Sequence, residues 1–142
     1  MNMSIHLDIV SAEKEIFSGL VQSVVASGSL GELGVMLGHT PLLTGLQPGE
    51  VRIVKVNGDT EIFYISGGFL EVQPNIVTIL ADAAERADDL DEAAAQEAKK
   101  IAQSKIASKS SEIEYSKALA DLAQAAAQLR AISKLRARSG HR

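Results

Sequence analysis

The chain of 142 residues has no cysteine and no tryptophan. The absence of cysteine excludes disulfides, thiolate metal sites and thiol nucleophiles. Aromatic residues make up 4%, and 14 basic residues stand against 18 acids, so neither a base-stacking surface nor a basic face for nucleic acid is expected. No stretch reaches the roughly 18 apolar residues of a membrane span. The first residues lack the basic and apolar regions of a signal peptide, so we expect a cytoplasmic protein.

Glycine and proline are scarce in the second half of the chain. Ten of the 11 glycines precede residue 69, whereas 81–137 contain 18 alanines and neither glycine nor proline. Alanine has the highest helix propensity, while short runs rich in Val, Ile and Phe between turn residues are typical of strands. The sequence therefore predicts an α+β protein, with an N-terminal antiparallel β-sandwich (1–86) followed by a C-terminal two-helix antiparallel hairpin (87–142).

The strand predictions follow from alternation and turn chemistry. Residues 3–9 alternate apolar and polar side chains, which is the pattern of a half-buried strand. Asn57-Gly58 separates two apolar runs and predicts a hairpin with a tight primed turn. The remaining apolar runs that predict strands are 20–26, 35–36, 51–56, 61–66, 69–72 and 76–81. Together they predict a small sandwich or barrel of roughly 80 residues.

The helix boundaries are predicted by capping residues. Asp89 and Asp91, followed by Glu92, favour the start of a helix that runs to about residue 107. A polar break follows, and Ser111 is a suitable cap for a second helix. The second helix ends in basic residues, which suit the negative end of the helix dipole.

The apolar faces of both predicted helices consist largely of alanine. A buried leucine or isoleucine contributes roughly 1.5–3 kcal/mol, and an alanine buries far less surface. The hairpin should therefore form readily as helix but be weakly held as tertiary structure. Two interpretations remain open: a small stable appendage, or a hairpin that leaves its domain and docks elsewhere.

Charge is segregated along the helical half. Residues 82–97 carry seven acids and one base, whereas 122–142 carry five bases and no acid. Dipole complementation and a solvated face explain each charge singly. The acid-free run as a whole also suits an acidic protein partner reached by an extended second helix.

The sequence offers no set of catalytic or metal-binding residues. The three histidines are dispersed, and no cysteine assists them. The glycine-rich segment 28–34 lacks the lysine and the hydroxyl residue of a phosphate-binding loop, and it lies between predicted strands. Asp89 and Asp91 are more simply explained as helix-capping residues than as a catalytic pair. We therefore predict a protein with no catalytic, cofactor or metal site of its own.

One segment is too particular for ordinary turns. It reads Gly-Glu-x-Gly followed by Gly-His-x-Pro-Leu-Leu, at positions Gly31, Glu32, Gly34, Gly38, His39, Pro41, Leu42 and Leu43. This pattern resembles that of the epsilon subunit family of bacterial F-type ATP synthases, called delta in mitochondria. The similarity continues through Pro48-Gly49, Ser66-Gly67-Gly68, 89–93 and 127–130, and so spans essentially the whole chain.

The resemblance implies a non-catalytic rotor subunit of the central stalk, peripheral to the cytoplasmic face of the bacterial inner membrane. Its sandwich would bind the gamma subunit and the polar loops of the ion-driven c-ring, coupling ion transport to ATP synthesis. Residues Gly31, Glu32, Gly34, Gly38, His39 and Pro41 would lie in loops at that interface, although a capped turn and a satisfied loop histidine are the simpler interpretations.

The hairpin of this family is a regulator, and the resemblance implies that an extended second helix inhibits ATP hydrolysis. The catalytic alpha and beta subunits would then be partners. The residues that would face acidic residues of the beta subunits are Arg130, Lys134, Arg136 and Arg138. Some family members bind ATP through an Ile/Leu-Asp-x-x-Arg-Ala motif, but Ala94 stands here at the arginine position. We therefore predict no cofactor. The alternative function is a free-standing β-sandwich that binds a ligand and carries a helical oligomerisation tail.

Overall fold

Eight strands precede two helices along the chain, and the computed structural model describes residues 3–108 and 111–139, with the side chains of 138 and 139 left out. The elements are β1 (Ile5–Ser11), β2 (Glu15–Gly28), β3 (Gly31–Met36), β4 (Leu42–Lys55), β5 (Thr60–Ile65), β6 (Gly68–Val72), β7 (Ile76–Ala81), β8 (Ala84–Arg86), a 3-10 turn (Ala87–Asp89), α1 (Glu92–Ser108) and α2 (Glu112–Ser139). The predicted order of strands and then two helices is confirmed.

The strands form a β-sandwich because two long strands each contribute to both of its layers. The strand order is β3-β2-β1-β7-β6-β4-β5-β8, with a further pairing of β2 with β4. The first half of β2 pairs with β1, and the second half pairs with β3 and β4. The described pairings are antiparallel except for β1 with β7, which is parallel, so the predicted antiparallel sandwich contains one parallel pair.

Strand β4 begins nine residues before the apolar run that predicted it. Its first part pairs with β6 as far as Leu46, and its second part pairs with β5 from Gly49 onward. Pro48 lies between these two ladders, where its missing N–H costs no ladder hydrogen bond. A proline therefore marks the bend of this strand and does not end it.

The Asn57-Gly58 hairpin forms between β4 and β5, but its turn differs from the prediction. The Gly58 N–H donates to the Lys55 carbonyl oxygen (2.9 Å), so Val56 and Asn57 are the central turn residues. Gly58 follows them with a φ of 92°, a conformation that glycine adopts readily. The predicted two-residue primed turn is therefore wrong, and a longer loop with glycine at its end replaces it.

The main hydrophobic core is built from the strands alone. Its fully buried members include Leu7, Ile53, Phe63 and Leu70, and among the described residues none of its members belongs to α1 or α2. At the end of β8, Arg86 pairs with Glu61 and its guanidinium lies 5.2 Å from the centre of the Phe63 ring. The sandwich is therefore closed, and its last strand anchored, before the helices begin.

The two helices begin where their caps were predicted. The Ala94 N–H donates to Asp91 Oδ1 (3.1 Å), and the Glu114 N–H donates to Ser111 Oγ (3.1 Å). Arg136, near the end of α2, pairs with Glu92, in the first turn of α1, so the helices are antiparallel. Lys109 and Ser110 of the predicted polar break lie outside the described residues. No helix in the described part of the chain is long and apolar enough to cross a membrane.

Candidate interaction surfaces

One outward surface of the sandwich, formed by β2, β1, β7, β6 and β4, carries exposed apolar side chains. Phe69 and Leu80 are directly paired across β6 and β7 and are 57% and 54% exposed, and Leu43 is 68% exposed. On the other side of β7, Leu80 also pairs with Val10 of β1. We call this surface the open face; its outward apolar residues are Val10, Leu20, Leu43, Phe69, Ile76 and Leu80.

A small polar cluster lies beside the apolar residues of the open face. Ser18 Oγ donates to Asp8 Oδ1 (2.7 Å), and His6 Nε2 lies 2.9 Å from the same carboxylate oxygen. The hydrogen bond from Ser18, assisted by His6, holds the pKa of Asp8 below its usual value against the opposing effect of burial. A catalytic triad needs the carboxylate on one imidazole nitrogen and the hydroxyl on the other. Here the Asp8 carboxylate and the Ser18 hydroxyl both lie beside Nε2 of His6. The arrangement therefore does not activate Ser18 as a nucleophile, and the cluster is a hydrogen-bonded polar patch.

The opposite outward surface, on β4 and β5, is covered by α2. The contact is a second apolar cluster, the docking cluster, formed by Ile62, Tyr64, Ala87, Ala127 and Ala131 with the partly buried Leu90 and Leu135. On α2, the fully buried residues of this cluster are the two alanines Ala127 and Ala131, and Leu135 is partly buried. The helix therefore contributes less apolar area to the contact than a face rich in leucine would.

Tyr64 lies at the centre of the docking cluster, between two acids. In the register of the sheet it pairs with Glu50 of β4 and with Glu85 of β8. Its hydroxyl is buried and makes no hydrogen bond of normal geometry with any residue in the described part of the chain. Burial raises the pKa of Tyr64, Gln128 of α2 opposes that rise, and the charge of Glu85 adds to it.

The loop residues predicted from the family pattern lie in and after β3. Gly31, Glu32 and Gly34 belong to the strand itself, and Glu32 is exposed opposite Ser27. Gly38, His39 and Pro41 follow the strand, in a turn and its exit toward β4. A strand advances about 3.3 Å per residue, so Glu32 and His39 lie near opposite ends of β3 and do not form one site.

His39 is fixed by local hydrogen bonds. Its backbone N–H donates to the Met36 carbonyl oxygen (3.1 Å), which closes a turn whose third residue, Gly38, has a φ of 91°. That conformation requires glycine or asparagine. The His39 ring places Nδ1 2.7 Å from the Thr40 carbonyl oxygen. These contacts fix the orientation of the half-buried ring, as expected for a histidine with a structural role in a turn.

The four cations of α2 that were predicted to bind a partner have different environments. Lys134 Nζ lies 3.4 Å from Glu50 Oε1 of the sandwich, whereas Arg136 pairs with Glu92 of α1. Arg130 is exposed and forms no ion pair with any residue that the structure describes. The side chain of Arg138 lies outside the described residues. Two of the predicted partner-binding cations are therefore engaged within the chain.

Two clefts lie between α1 and α2. The first, of about 240 Å³, is lined by Ile101, Gln128 and neighbouring residues, with no lysine or arginine among its described lining residues. The second, of about 280 Å³, is lined by Lys105 and Lys117 together with two acids. Ala94, at the arginine position of the ATP motif, is exposed. In the described part of the chain, no group of three or more His, Asp or Glu side chains could hold a metal ion.

Neither the open face nor the row containing Glu50 and Tyr64 was predicted from the sequence. A signal for the second was present, because Ile62, Phe63, Tyr64 and Ile65 are consecutive apolar residues. A strand with one solvated face alternates, so an unbroken apolar run indicates that both faces are covered. All four residues are buried, two toward the core and two toward α2.

The fold and these surfaces define a class of protein: a β-sandwich with an open apolar face and a helical hairpin resting on the opposite side. The sequence of residues 4–87 matches the family model of the ATP synthase delta/epsilon chain β-sandwich domain, and residues 88–133 match that of its long α-helix domain. The chain belongs to the ATP synthase delta/epsilon chain family, whose members are subunits of the central stalk.

Solved structures share the same fold. A chain in the cryo-EM structure of the Euglena gracilis mitochondrial ATP synthase (OSCP/F1/c-ring, rotational state 1) is 23% identical, with a TM-score of 0.84, covering 92% of this chain and 82% of that one. A chain in the Tetrahymena thermophila mitochondrial ATP synthase central stalk and c-ring structure is 17% identical, with a TM-score of 0.51, covering 60% and 68%. The family resemblance seen in the sequence is confirmed.

Proposed function

We propose that this chain is a non-catalytic rotor subunit that couples ion transport to ATP synthesis and inhibits ATP hydrolysis through α1 and α2. One observation carries the proposal beyond family membership: the main core contains no described residue of either helix. The hairpin can therefore leave the sandwich without opening the core. The sandwich serves for assembly, and the hairpin regulates.

Assembly uses the open face and the ends of β3. The paired Phe69 and Leu80 present apolar surface that water does not favour, and such surface is characteristic of interaction sites. We assign this face to the gamma subunit. Glu32 and His39, with Gly31, Gly34, Gly38 and Pro41, contact gamma and the polar loops of the c-ring, which places the protein peripherally on the cytoplasmic face of the bacterial inner membrane.

Co-purification tests the assembly proposal and separates it from a free-standing ligand-binding module. Tagged wild-type chain should recover gamma and the catalytic subunits from detergent-treated membranes. Leu80→Glu should lose this recovery because it places a carboxylate on the open face. Val56→Glu is the matched control, since Val56 is an exposed apolar residue in the β4–β5 turn. Equal recovery by both variants would contradict the assignment of the open face.

Inhibition is assigned to the basic end of α2, which faces acidic groups of the catalytic alpha and beta subunits. Arg130 is the clearest test because it makes no ion pair within the described structure. Arg130→Ala should raise the concentration for half-inhibition of ATP hydrolysis by about twofold to fivefold, the range of an exposed ion pair. Replacing Arg130, Lys134, Arg136 and Arg138 together should relieve inhibition further. Unchanged inhibition by the fourfold variant would refute a charge mechanism.

We also propose that the hairpin does not bind ATP. Phosphate recognition needs cationic or backbone donors. Ala94 stands at the arginine position of the ATP motif, and the cleft lined by Ile101 and Gln128 has no cation among its described lining residues. The lysines of the second cleft, Lys105 and Lys117, share it with the acids Glu114 and Asp121. A ligand that binds only the folded protein raises its melting temperature. Millimolar ATP should therefore leave the melting temperature of the isolated chain unchanged, and a saturable rise would contradict this proposal.

A further inference from the structure

The carboxylate of Glu50 is enclosed at the contact between hairpin and sandwich. Its side chain is 14% exposed, and Oε2 is buried with no hydrogen-bond partner among the described residues. Its neighbour across the sheet is the buried Tyr64, beyond which the register continues to a second acid, Glu85. Enclosing a carboxylate in this way is costly unless a cation compensates it.

Lys134 of α2 is the cation that the structure supplies. Its Nζ lies 3.4 Å from Glu50 Oε1, and its side chain is 50% exposed. The pair is therefore unequal: the acid is shielded from solvent, whereas the lysine remains accessible. A group on another molecule can approach Lys134 while the hairpin is docked, but it cannot readily approach Glu50.

We propose that Glu50 and Lys134 form a latch that keeps α2 docked on the sandwich. When the hairpin is docked, Lys134 compensates the enclosed carboxylate; when it leaves, water solvates Glu50. The apolar part of the contact on the α2 side is small, since Ala127 and Ala131 supply its fully buried groups. Removing the charge of Lys134 alone therefore favours the open state, whereas removing the charges of both Lys134 and Glu50 does not.

The latch also couples release of the hairpin to the binding of a partner, and this part of the inference rests on the proposed function. An acidic surface on the catalytic subunits that pairs with Lys134 removes compensation from Glu50 at the same moment. Partner binding and release from the sandwich are then coupled through one side chain. Arg136 differs, because its partner Glu92 belongs to α1 and moves with the hairpin.

The experiment measures the open fraction in the isolated full-length chain. Because the chain has no cysteine, Asn57→Cys on the sandwich and Ser116→Cys on α2 can carry two distance labels, and both positions are exposed. Lys134→Met, which keeps an apolar stem, should raise the ratio of open to docked molecules about tenfold, as expected when an enclosed charge loses its partner. Glu50→Gln combined with Lys134→Met should return the ratio to within about threefold of wild type.

The control is Arg130→Met, which removes the same charge one turn away and should leave the ratio unchanged. Added salt should open the wild type but not the doubly neutral variant, because screening acts on the ion pair. The latch is refuted if Lys134→Met behaves like Arg130→Met, and also if Glu50→Gln fails to reverse its effect. These measurements need no partner, so a failed latch is distinguishable from a failed inhibition assay.

Discussion

At the scale of single residues, Tyr64 is a buried hydroxyl placed where an apolar ring would serve as well. Its hydroxyl lacks a hydrogen bond of normal geometry, and an unsatisfied buried polar group costs free energy. Tyr64→Phe should therefore leave docking of the hairpin unchanged or strengthen it by up to about 1 kcal/mol. The labelled full-length chain measures this directly. A weaker docked state in the variant would mean that Gln128 does satisfy the hydroxyl.

The raised pKa of Tyr64 also predicts alkaline release of the hairpin. Burial raises its pKa above the ordinary value of 10.0, so the docked state favours the protonated, neutral ring. The stabilisation is fully present below about pH 10 and is lost as the pH rises through the higher pKa of the docked state. The open fraction should increase above pH 10 in wild type and less in Tyr64→Phe. An identical rise in both would assign the effect to lysine deprotonation.

Glu32 and His39 should act at interfaces and not in folding. Glu32 is exposed, and the His39 ring bonds to the neighbouring carbonyl oxygen of Thr40. Exposed substitutions of this kind change stability by about 0.5 kcal/mol or less, so Glu32→Ala and His39→Ala should shift the melting temperature by no more than ~2 °C. Both should weaken attachment to the stalk. Because the two residues lie at opposite ends of β3, their effects should add; a large loss of stability with normal attachment would favour purely structural roles.

Site residues divide into those that sequence can suggest and those that it cannot. Glu32 and His39 are found because a linear family pattern contains them. Glu50 and Lys134 are 84 positions apart in the sequence, and only the docked hairpin brings them together. No local pattern distinguishes Glu50 from any outward strand residue, so its enclosure is a tertiary property.

At the scale of elements, the helices were predictable because their starts are set by local groups. Asp91 is the cap of α1, whereas Asp89 lies in the preceding 3-10 turn. Asp91→Ala should lower hairpin stability by about 1 kcal/mol through loss of the bond to the Ala94 N–H. Asp89→Ala, which removes an equal charge without that bond, should cost less. Amide exchange in the first turn of α1 measures the difference in stability between the two variants. Equal losses of stability would mean that both residues act only through the helix dipole.

The strands that escaped prediction are those created by long-range pairing. The first half of β4 and the three-residue β8 have no strong local pattern, and they become strands by pairing with β6 and β5 respectively. The same reasoning applies to the β1–β7 pair, whose parallel direction depends on the whole topology. Local propensity cannot encode pairing with a strand that lies elsewhere in the sequence.

At the scale of the whole molecule, two separate clusters indicate two separable units. The main core ends with β8, and the docking cluster includes Ala87 and Leu90 from the segment that follows. Arg86 is tied to the sandwich by Glu61, Phe63 and the carbonyl oxygen of Ile16. We therefore expect the hairpin to pivot after Arg86, which is the boundary predicted from the sequence.

A chain truncated after Asp88 should retain the fold and the assembly function of the sandwich. All described members of the main core remain, so thermal unfolding should stay cooperative. The effect of removing the hairpin is local, because only its docking surface becomes exposed to solvent. Ile62 and Tyr64 then form an apolar patch that favours aggregation. Ile62→Thr with Tyr64→Thr should restore solubility, because threonine suits a solvated strand face.

This truncated chain should bind the gamma subunit as the full chain does, since the open face lies on the other side of the sandwich from α2. Affinity within about threefold of the full chain is expected, as no contact in the proposed interface is removed. Leu80→Glu in the truncated chain should abolish binding, and this control tests whether the truncated chain still binds through the open face. Inhibition of ATP hydrolysis should be absent throughout, because Arg130 and Lys134 are gone. If the truncated sandwich unfolds cooperatively yet does not bind gamma, the hairpin takes part in assembly, and the division of roles between the two units is wrong.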